Sequence, residues 1–230
     1  ISGGFAETGR LDLQEQLVDL AHRHRFPFIG PNCLGIYVPG HIDTFFIPSE
    51  RMVRPESGKV ALVSQSGGVL VDQMTKFAEQ GIGFSLGVSI GNKALVRELD
   101  LLEYLAADPD TGVIAFYIEG FARGEGREFV QAARRCPKPV IVLKSGKTSE
   151  GMRAVSSHTA SMAGDYAVFS AAMAQHGIVE AVNEMELVSF CEALSCYGES
   201  IDGRVGIISP SGGHGALAVD LCSRHGLSIP

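Results

Sequence analysis

Residues 58–68 read GKVALVSQSGG and residues 203–213 read GRVGIISPSGG, so one stretch occurs twice at an offset of 145 residues. Six of the eleven aligned positions are identical, including the two serines and the two glycines of the Ser-x-Ser-Gly-Gly ending. In each copy a short apolar run leads through this ending into a helical pattern. The repeat predicts two equivalent strand–loop–helix units, one in each of two related α/β subdomains.

The rest of the chain alternates in the same way between short apolar runs and amphipathic stretches of helical length. Such alternation is typical of βαβ units, in which helices cover both faces of a parallel sheet. The predicted fold class is therefore α/β. We predict strands at about 26–30, 59–63, 84–88, 113–118, 139–143 and 204–208. Helices are predicted at about 12–23, 68–80, 97–107, 125–135, 164–176 and 184–197, with another from about 212.

Both ends of the sequence interrupt the predicted alternation of strands and helices. Ile1 opens directly into a loop and helix without a preceding strand, and residues 227–230 stop where a strand should begin. We therefore expect a fragment of a longer polypeptide. The proline-bearing segment 31–57 is poor in helical pattern and predicts a linker with one or two short strands. A second boundary is predicted near residues 199–203.

Composition excludes several classes of protein. Nineteen basic and twenty-six acidic residues give a net charge of −7, which disfavours a nucleic-acid or anionic-membrane surface. The five cysteines form no CxxC pair, which argues against a disulfide framework and a structural zinc site. No apolar run approaches the roughly 18 residues that span a bilayer, and the sequence does not open with a basic segment followed by an apolar one, as a signal peptide would. We expect a cytoplasmic protein with no metal site, no nucleic-acid partner and no membrane partner.

The two glycine-rich endings are candidate anion sites. Ser66, Gly67 and Gly68 precede one predicted helix, and Ser211, Gly212 and Gly213 precede another. Free N–H groups and the macrodipole make a helix N-terminus favourable for an anion, and glycine lets a ligand approach closely. The serines could donate hydrogen bonds to phosphate oxygens or simply cap the helices. Two such N-termini could converge on one highly charged group.

Two further residues could carry chemistry. His158 lies in a predicted loop of about 20 residues that follows the strand 139–143, and loops of that length are often functional. Glu119 follows the predicted strand 113–118, at the sheet edge where α/β proteins bind ligands. A carboxylate there could hold an imidazole in one tautomer. The alternatives are an ordinary polar loop histidine and a carboxylate that caps a helix or faces solvent.

Several short motifs, taken together in their order and spacing, resemble those of a known protein family. They are Gly30-Pro31-Asn32-Cys33-Leu34-Gly35, Ser64-Gln65-Ser66-Gly67-Gly68, Glu119-Gly120, and Ser157-His158-Thr159 with Ala163-Gly164. Together they resemble the NDP-forming acyl-CoA synthetases, relatives of the succinyl-CoA synthetase α subunit, with the ADP-forming acetyl-CoA synthetases as the closer likeness. The resemblance extends over essentially the whole chain.

This resemblance implies a domain order. Residues 1–50 would be the end of a CoA-binding Rossmann domain and its linker, residues 51–200 a flavodoxin-like CoA-ligase domain, and residues 201–230 the start of a second ligase-type α/β domain. The fold would thus be a flavodoxin-like parallel sheet with helices on both faces, flanked by a partial Rossmann-like piece and a second flavodoxin-like piece.

The resemblance also implies roles for individual residues. His158 corresponds to a phosphorylated histidine, Glu119 to its helper carboxylate, and the helices after Ser66 and Ser211 to two helices that face the phosphohistidine. Cys33, with Asn32 beside it, falls where the family approaches the thiol end of CoA.

The implied reaction converts acyl-CoA, NDP and phosphate into a carboxylic acid, CoA and NTP. CoA would be bound here, whereas ATP/ADP or GTP/GDP and Mg²⁺ would be bound by an ATP-grasp domain or a β subunit outside this sequence. The implied assembly is an oligomer. The alternative is a non-catalytic module that senses CoA or acyl-CoA in a larger protein, such as a protein acetyltransferase.

Overall fold

The structure is a computed structural model that describes residues 3–158, 165–197 and 203–229, without the side chains of residues 49 and 156–158. The chain divides into two compact units, Ile1–Ser195 and Cys196–Pro230. They are described in turn.

The first unit is built on a seven-stranded sheet with the strand order β2-β1-β4-β3-β5-β6-β7. Strands β3 to β7 pair in parallel, whereas β1 is antiparallel to both β2 and β4. The predicted α/β class is confirmed, and the two antiparallel strands come from the segment predicted as a linker with short strands. The strands are β1 Gly35–Val38, β2 Ile42–Asp43, β3 Ser57–Ser64, β4 Phe84–Ser89, β5 Val113–Ile118, β6 Val140–Lys144 and β7 Val179–Ala181.

Helices cover both faces of this sheet. They are α1 Leu11–His24, α2 Gly67–Glu79, α3 Glu98–Ala107, α4 Glu125–Arg135, α5 Ser149–His158, α6 Tyr166–Gln175 and α7 Glu184–Cys196, with 3-10 turns at Phe5–Thr8 and Ser49–Arg51. Buried residues of α2 and α7 pack on one face of the sheet, and those of α3, α4 and α6 pack on the other. The apolar positions of α2 share one side because they recur every three or four residues.

Aromatic pairs join the helices to the sheet on both faces. Phe77 of α2 meets Phe84 of β4 edge-on with ring centroids 5.2 Å apart, and Phe116 of β5 meets Phe129 of α4 at 5.0 Å and 90°. All four side chains are fully buried. Burial of each such side chain contributes roughly 1.5–3 kcal/mol, so these pairs hold β4 and β5, and the loops that follow them, in fixed positions.

The second unit contains helix α8, Gly212–Arg224, preceded by the second Ser-x-Ser-Gly-Gly stretch. The predicted strand 204–208 is wrong, because the described residues supply only one ladder contact, a parallel bridge between Arg204 and Ser228. Ile208 is fully exposed. The second copy of the repeat therefore has the loop and the helix of the first copy without its strand.

Two other expectations differ from the structure. Residues 26–30 form no strand, since Pro27 and Pro31 cannot donate backbone hydrogen bonds and Gly30 has a left-handed φ of 98°. The predicted loop around His158 contains α5, because Thr148 caps the start of that helix by accepting a hydrogen bond from the Gly151 amide at 3.1 Å. Strand β7 was not predicted, since three residues are too few for a clear pattern.

Candidate functional site

The site lies where three parallel strands end side by side. The register pairs Ser64, the last residue of β3, with Ser89 of β4 on one side and with Tyr117 of β5 on the other. The loops that follow these strands therefore emerge at one edge of the sheet, where α/β proteins bind ligands. They contribute to a cavity of about 350 Å³ that collects six predicted site residues: Asn32, Cys33, Ser66, Gly67, Gly68 and Glu119. A larger groove of about 870 Å³ beside the end of α1 contains none of them.

The N-terminus of α2 opens into this cavity through Ser66, Gly67 and Gly68. Ser66 is the N-cap, and its hydroxyl accepts a hydrogen bond from the Val69 amide at 3.3 Å. The Ser64 hydroxyl donates to the Ser66 carbonyl at 2.6 Å and accepts from the Ser66 amide at 3.1 Å, which fixes the turn. Amides at the first helical positions have no acceptor within the helix and carry the positive end of its dipole. The end wall of the cavity therefore carries the positive end of the α2 dipole.

The second copy of the loop repeats this geometry within its own unit. Ser211 caps α8 by accepting from the His214 amide at 3.4 Å, and the Ser209 hydroxyl bonds the Ser211 carbonyl and amide at 3.0 and 3.2 Å. The cap residues also have similar backbone angles, with φ of −108° at Ser66 and −120° at Ser211. The repeat in sequence is thus a repeat in local structure, and α8 presents an equivalent N-terminus.

Glu119 lines the cavity from a turn whose main chain is hydrogen-bonded by polar side chains of other segments. Lys93 donates to the Gly120 carbonyl at 2.9 Å, and Lys144 donates to the Glu119 carbonyl at 2.7 Å. Gln65 bonds both residues of the turn. Burial lowers the pKa of Lys144 to about 8, although the Glu119 carboxylate opposes the shift. The main chain that carries Glu119 is therefore held by partners at the ends of three different strands, β3, β4 and β6.

Asn32 and Cys33 lie on a loop pinned to the end of β4. The side-chain amide of Asn32 donates to a Glu7 carboxylate oxygen at 3.0 Å, and that of Asn92 donates to the same oxygen at 2.7 Å. Asn32 itself has a left-handed φ of 53°. Burial raises the pKa of the half-buried Cys33 thiol, so it stays protonated at neutral pH. This favours a lining role for Cys33 over a nucleophilic one.

His158 is the last residue of α5, and its side chain lies outside the described part of the chain, as do residues 159–164 with Thr159, Ala163 and Gly164. Ser211, Gly212 and Gly213 belong to the second unit. The structure thus gathers six of the ten predicted site residues and leaves the place of the other four a prediction.

Two other kinds of feature are absent from the described part of the chain. Within residues 3–158, 165–197 and 203–229, no cluster of three or more His, Cys, Asp and Glu side chains could hold a metal ion. None of the helices described there is long and apolar enough to cross a membrane.

Sequence reasoning missed Gln65, Lys93 and Lys144, which hold the site together. Lys144 could have been identified from the sequence, because a lysine that ends a buried apolar strand must find polar partners. Nothing in the sequence indicates this for Lys93 and Gln65, because the main-chain groups of the Glu119–Gly120 turn that they bind are 27 to 55 residues away along the chain.

The chain is similar to known proteins in both sequence and structure. A family model described as the succinyl-CoA ligase like flavodoxin domain matches residues 57–194. The chain is 40% identical over its whole length to an ADP-forming acetate–CoA ligase I of Archaeoglobus fulgidus, of which it covers 33%. It is also 37% identical over its whole length to the α subunit of an ADP-forming acetate–CoA ligase II of Pyrococcus furiosus, of which it covers 50%.

A solved structure gives the same result. The dinucleotide forming acetyl-coenzyme A synthetase 1 of Ca. Korarchaeum cryptofilum, in complex with phosphate and ADP, superposes with a TM-score of 0.88 at 38% identity. The match covers all of this chain and 49% of that one. The chain thus spans between a third and a half of the length of these relatives.

Proposed function

The chain belongs to the succinyl-CoA ligase like flavodoxin domain family, and on this premise we propose that it is part of an NDP-forming acyl-CoA synthetase. The whole enzyme interconverts acyl-CoA, NDP and phosphate with a carboxylic acid, CoA and NTP. Its relatives at 40% and 37% identity are ADP-forming acetate–CoA ligases, which supports a ligase of this type.

The observation that carries this proposal is the shared cavity of the Asn32–Cys33 loop, the N-terminus of α2 and Glu119. Phosphate held by the amides of Gly67 and Gly68 attacks the thioester carbonyl, and the thiol of CoA leaves beside Asn32 and Cys33. The products of this step are an acyl phosphate and free CoA. Because the anion-binding groups are backbone amides, the site stabilises the phosphoryl charge through hydrogen bonds and the dipole of α2.

The phosphoryl group then passes to His158. Attack of a neutral imidazole nitrogen on the acyl phosphate releases the carboxylate and forms a phosphohistidine. Glu119 holds the imidazole in one tautomer and supports its positive charge. The second loop, Ser211 to Gly213, supplies a further anion-binding N-terminus for the phosphorylated state.

NDP finally takes the phosphoryl group from His158 and becomes NTP. We assign the nucleotide and Mg²⁺ to an ATP-grasp domain or a partner subunit, in line with the relative that is named as an α subunit. The proposal further includes CoA as a ligand of this chain, an oligomeric assembly and a cytoplasmic location.

The test is a labelling experiment on the full-length protein with its nucleotide-binding part. Incubation with γ-labelled ATP and Mg²⁺ should give a label that is acid-labile and alkali-stable, as expected of a phosphoramidate. The label should vanish in His158→Ala and persist in His176→Ala, whose imidazole bonds the Ala172 carbonyl on α6. An acid-stable label, or one that survives His158→Ala, would refute the phosphohistidine and favour a non-catalytic acyl-CoA-sensing module.

A further inference from the structure

Gln65 lies between the two serines of the first loop, and its side chain is only 8% exposed. Its amide oxygen accepts from the Glu119 amide at 2.6 Å and from the Gly120 amide at 3.1 Å. Its amide nitrogen donates to the Gly120 carbonyl at 2.8 Å and to the Glu98 carboxylate. A glutamine amide has two acceptor lone pairs and two N–H donors, so the whole hydrogen-bonding capacity of Gln65 is used.

The orientation of this amide is set by its surroundings. Glu98 is 2% exposed, and its carboxylate pairs with the Lys93 ammonium at 2.9 and 3.1 Å. An ionised carboxylate only accepts hydrogen bonds, so the nitrogen of Gln65 must face Glu98 and the oxygen must face the two N–H groups of the turn. Lys93 closes the network through its bond to the Gly120 carbonyl.

These bonds connect the two halves of the anion site. The main chain of Gln65 continues directly into Ser66, the cap of α2, while its side chain holds the turn that carries Glu119. The main-chain N–H of Gln65 also donates a hydrogen bond to the Tyr117 carbonyl at 3.2 Å, which extends the pairing of β3 and β5 by one residue. One residue therefore sets how far the Glu119 turn lies from the N-terminus of α2.

We propose that Gln65 is a positioning residue for phosphoryl transfer, which acts by holding Glu119 in register with the N-terminus of α2. This inference rests on the proposed function, because Glu119 must assist phosphorylation for its position to matter. A misplacement of about 1 Å at a reacting group can cost on the order of 100-fold in rate. A purely structural Gln65 would stabilise the fold without acting through Glu119.

A double-mutant cycle separates these two roles. In the full-length protein with its nucleotide-binding part, the rate of acid-labile labelling from γ-labelled ATP is measured for wild type, Gln65→Met, Glu119→Gln and the double variant. Methionine keeps the length and approximate volume of glutamine without its hydrogen bonds. We expect Gln65→Met to slow labelling by about 10- to 100-fold and the double variant to be no slower than Glu119→Gln within about 2-fold, because the two changes then remove one interaction.

Gln73 provides a matched control. It is a fully buried glutamine of α2 whose amide atoms meet no partner among the residues that the structure describes, so Gln73→Met should label at the wild-type rate. If Gln65→Met does not fold, Gln65→Asn keeps the amide one methylene shorter and takes its place in the cycle.

The outcomes are distinct. Effects of Gln65→Met and Glu119→Gln that multiply in the double variant, or a wild-type rate in a folded Gln65 variant, would overturn the positioning role alone. Absence of any acid-labile label in the wild type would instead refute the proposed function, and this inference with it.

Discussion

Lys144 donates a hydrogen bond from its buried ammonium to the main-chain carbonyl of Glu119 over 2.7 Å. The lysine is 4% exposed, and this burial lowers its pKa from 10.5 to about 8. The charges of Glu119 and Glu180 oppose the shift and that of Lys147 adds to it. The ammonium that supports the Glu119 turn is therefore costly to bury, and the cost depends on pH.

The first prediction concerns how the lowered pKa of Lys144 makes the stability of the protein depend on pH. Between about pH 8 and pH 10.5 the folded protein has released the Lys144 proton while the unfolded chain still binds it, so the free energy of unfolding should rise with pH. A shift of this size corresponds to a gain of about 3 kcal/mol across the window. Denaturant titrations of the full-length protein from pH 7 to 10.5 should show the free energy of unfolding of wild type rising relative to that of Lys144→Met; buried Cys191, whose raised pKa acts in the opposite sense, is common to both proteins and cancels from the difference. Lys147→Met, which changes a more exposed lysine just after β6, should show the same rise relative to Lys144→Met, and parallel curves for wild type and Lys144→Met would contradict the prediction.

The second prediction concerns the carboxylate of Glu119. Glu119→Gln keeps the shape of the side chain and removes the charge that supports an imidazolium. Phosphohistidine formation should fall by about 10- to 1000-fold, on the usual scale for such groups. Single-turnover labelling measures this rate, and Glu150→Gln, a change on the exposed surface of α5, is the control. An unchanged rate in Glu119→Gln would leave the residue with a structural role.

The sequence predicted what depends on local pattern. The parallel sheet, helices α2 and α8 and the Ser-x-Ser-Gly-Gly loops follow from short-range periodicity and glycine placement, and the two loops share their hydrogen bonds. The strand at 26–30 was wrong because its prolines and the left-handed Gly30 outweigh its apolar residues. Helix α5 could have been predicted, since Thr148 followed by Ser149 and Glu150 is a typical helix start.

The polar network behind Glu119 could not be predicted in this way. Lys93 and Gln65 reach the main-chain groups of the Glu119–Gly120 turn only after β3, β4 and β5 have come together in the order that the sheet imposes. Nothing local in the motif Ser64-Gln65-Ser66 distinguishes a surface glutamine from one that is buried with all its hydrogen bonds made. The contacts that position a site are non-local, whereas the residues that contact a ligand are often locally marked.

The third prediction separates the helix cap from the anion site. Aspartate caps a helix as well as serine does and interacts favourably with the positive end of its dipole. Ser66→Asp should therefore keep the free energy of unfolding within about 0.5 kcal/mol of wild type, whereas Ser66→Ala should lose about 1 kcal/mol. The same aspartate repels a phosphate at the amides of Gly67 and Gly68, so labelling of His158 should be lost in Ser66→Asp. Wild-type labelling in this variant would show that α2 only uses Ser66 as a cap.

The fourth prediction compares Gly68, which lines the cavity, with Gly91, which packs against the main chain of Asn32. A Cβ added to Gly68 would have the Ser66 hydroxyl oxygen as its nearest neighbour, at 3.9 Å, so the folded protein has room for alanine. A Cβ on Gly91 would lie 2.2 Å from the Asn32 carbonyl oxygen at a left-handed φ of 54°, which no alanine tolerates without movement of the loop. Gly91→Ala should therefore destabilise the fold and displace Asn32.

Gly68→Ala should have the opposite profile. Alanine favours the helix over glycine by up to about 1 kcal/mol, so stability should be equal or slightly higher, while the new methyl group occupies the cavity beside the amides that would hold phosphate. Titration calorimetry of the full-length protein with inorganic phosphate should show at least 10-fold weaker binding in Gly68→Ala on the scale of a lost charge-assisted hydrogen bond. Gly213, where the nearest atom to an added Cβ is again the cap oxygen at 3.9 Å, should tolerate alanine in the same way. Phosphate affinity that is unchanged in Gly68→Ala would mean that the anion binds elsewhere, and the N-terminus of α2 would then be an ordinary helix start with a serine cap.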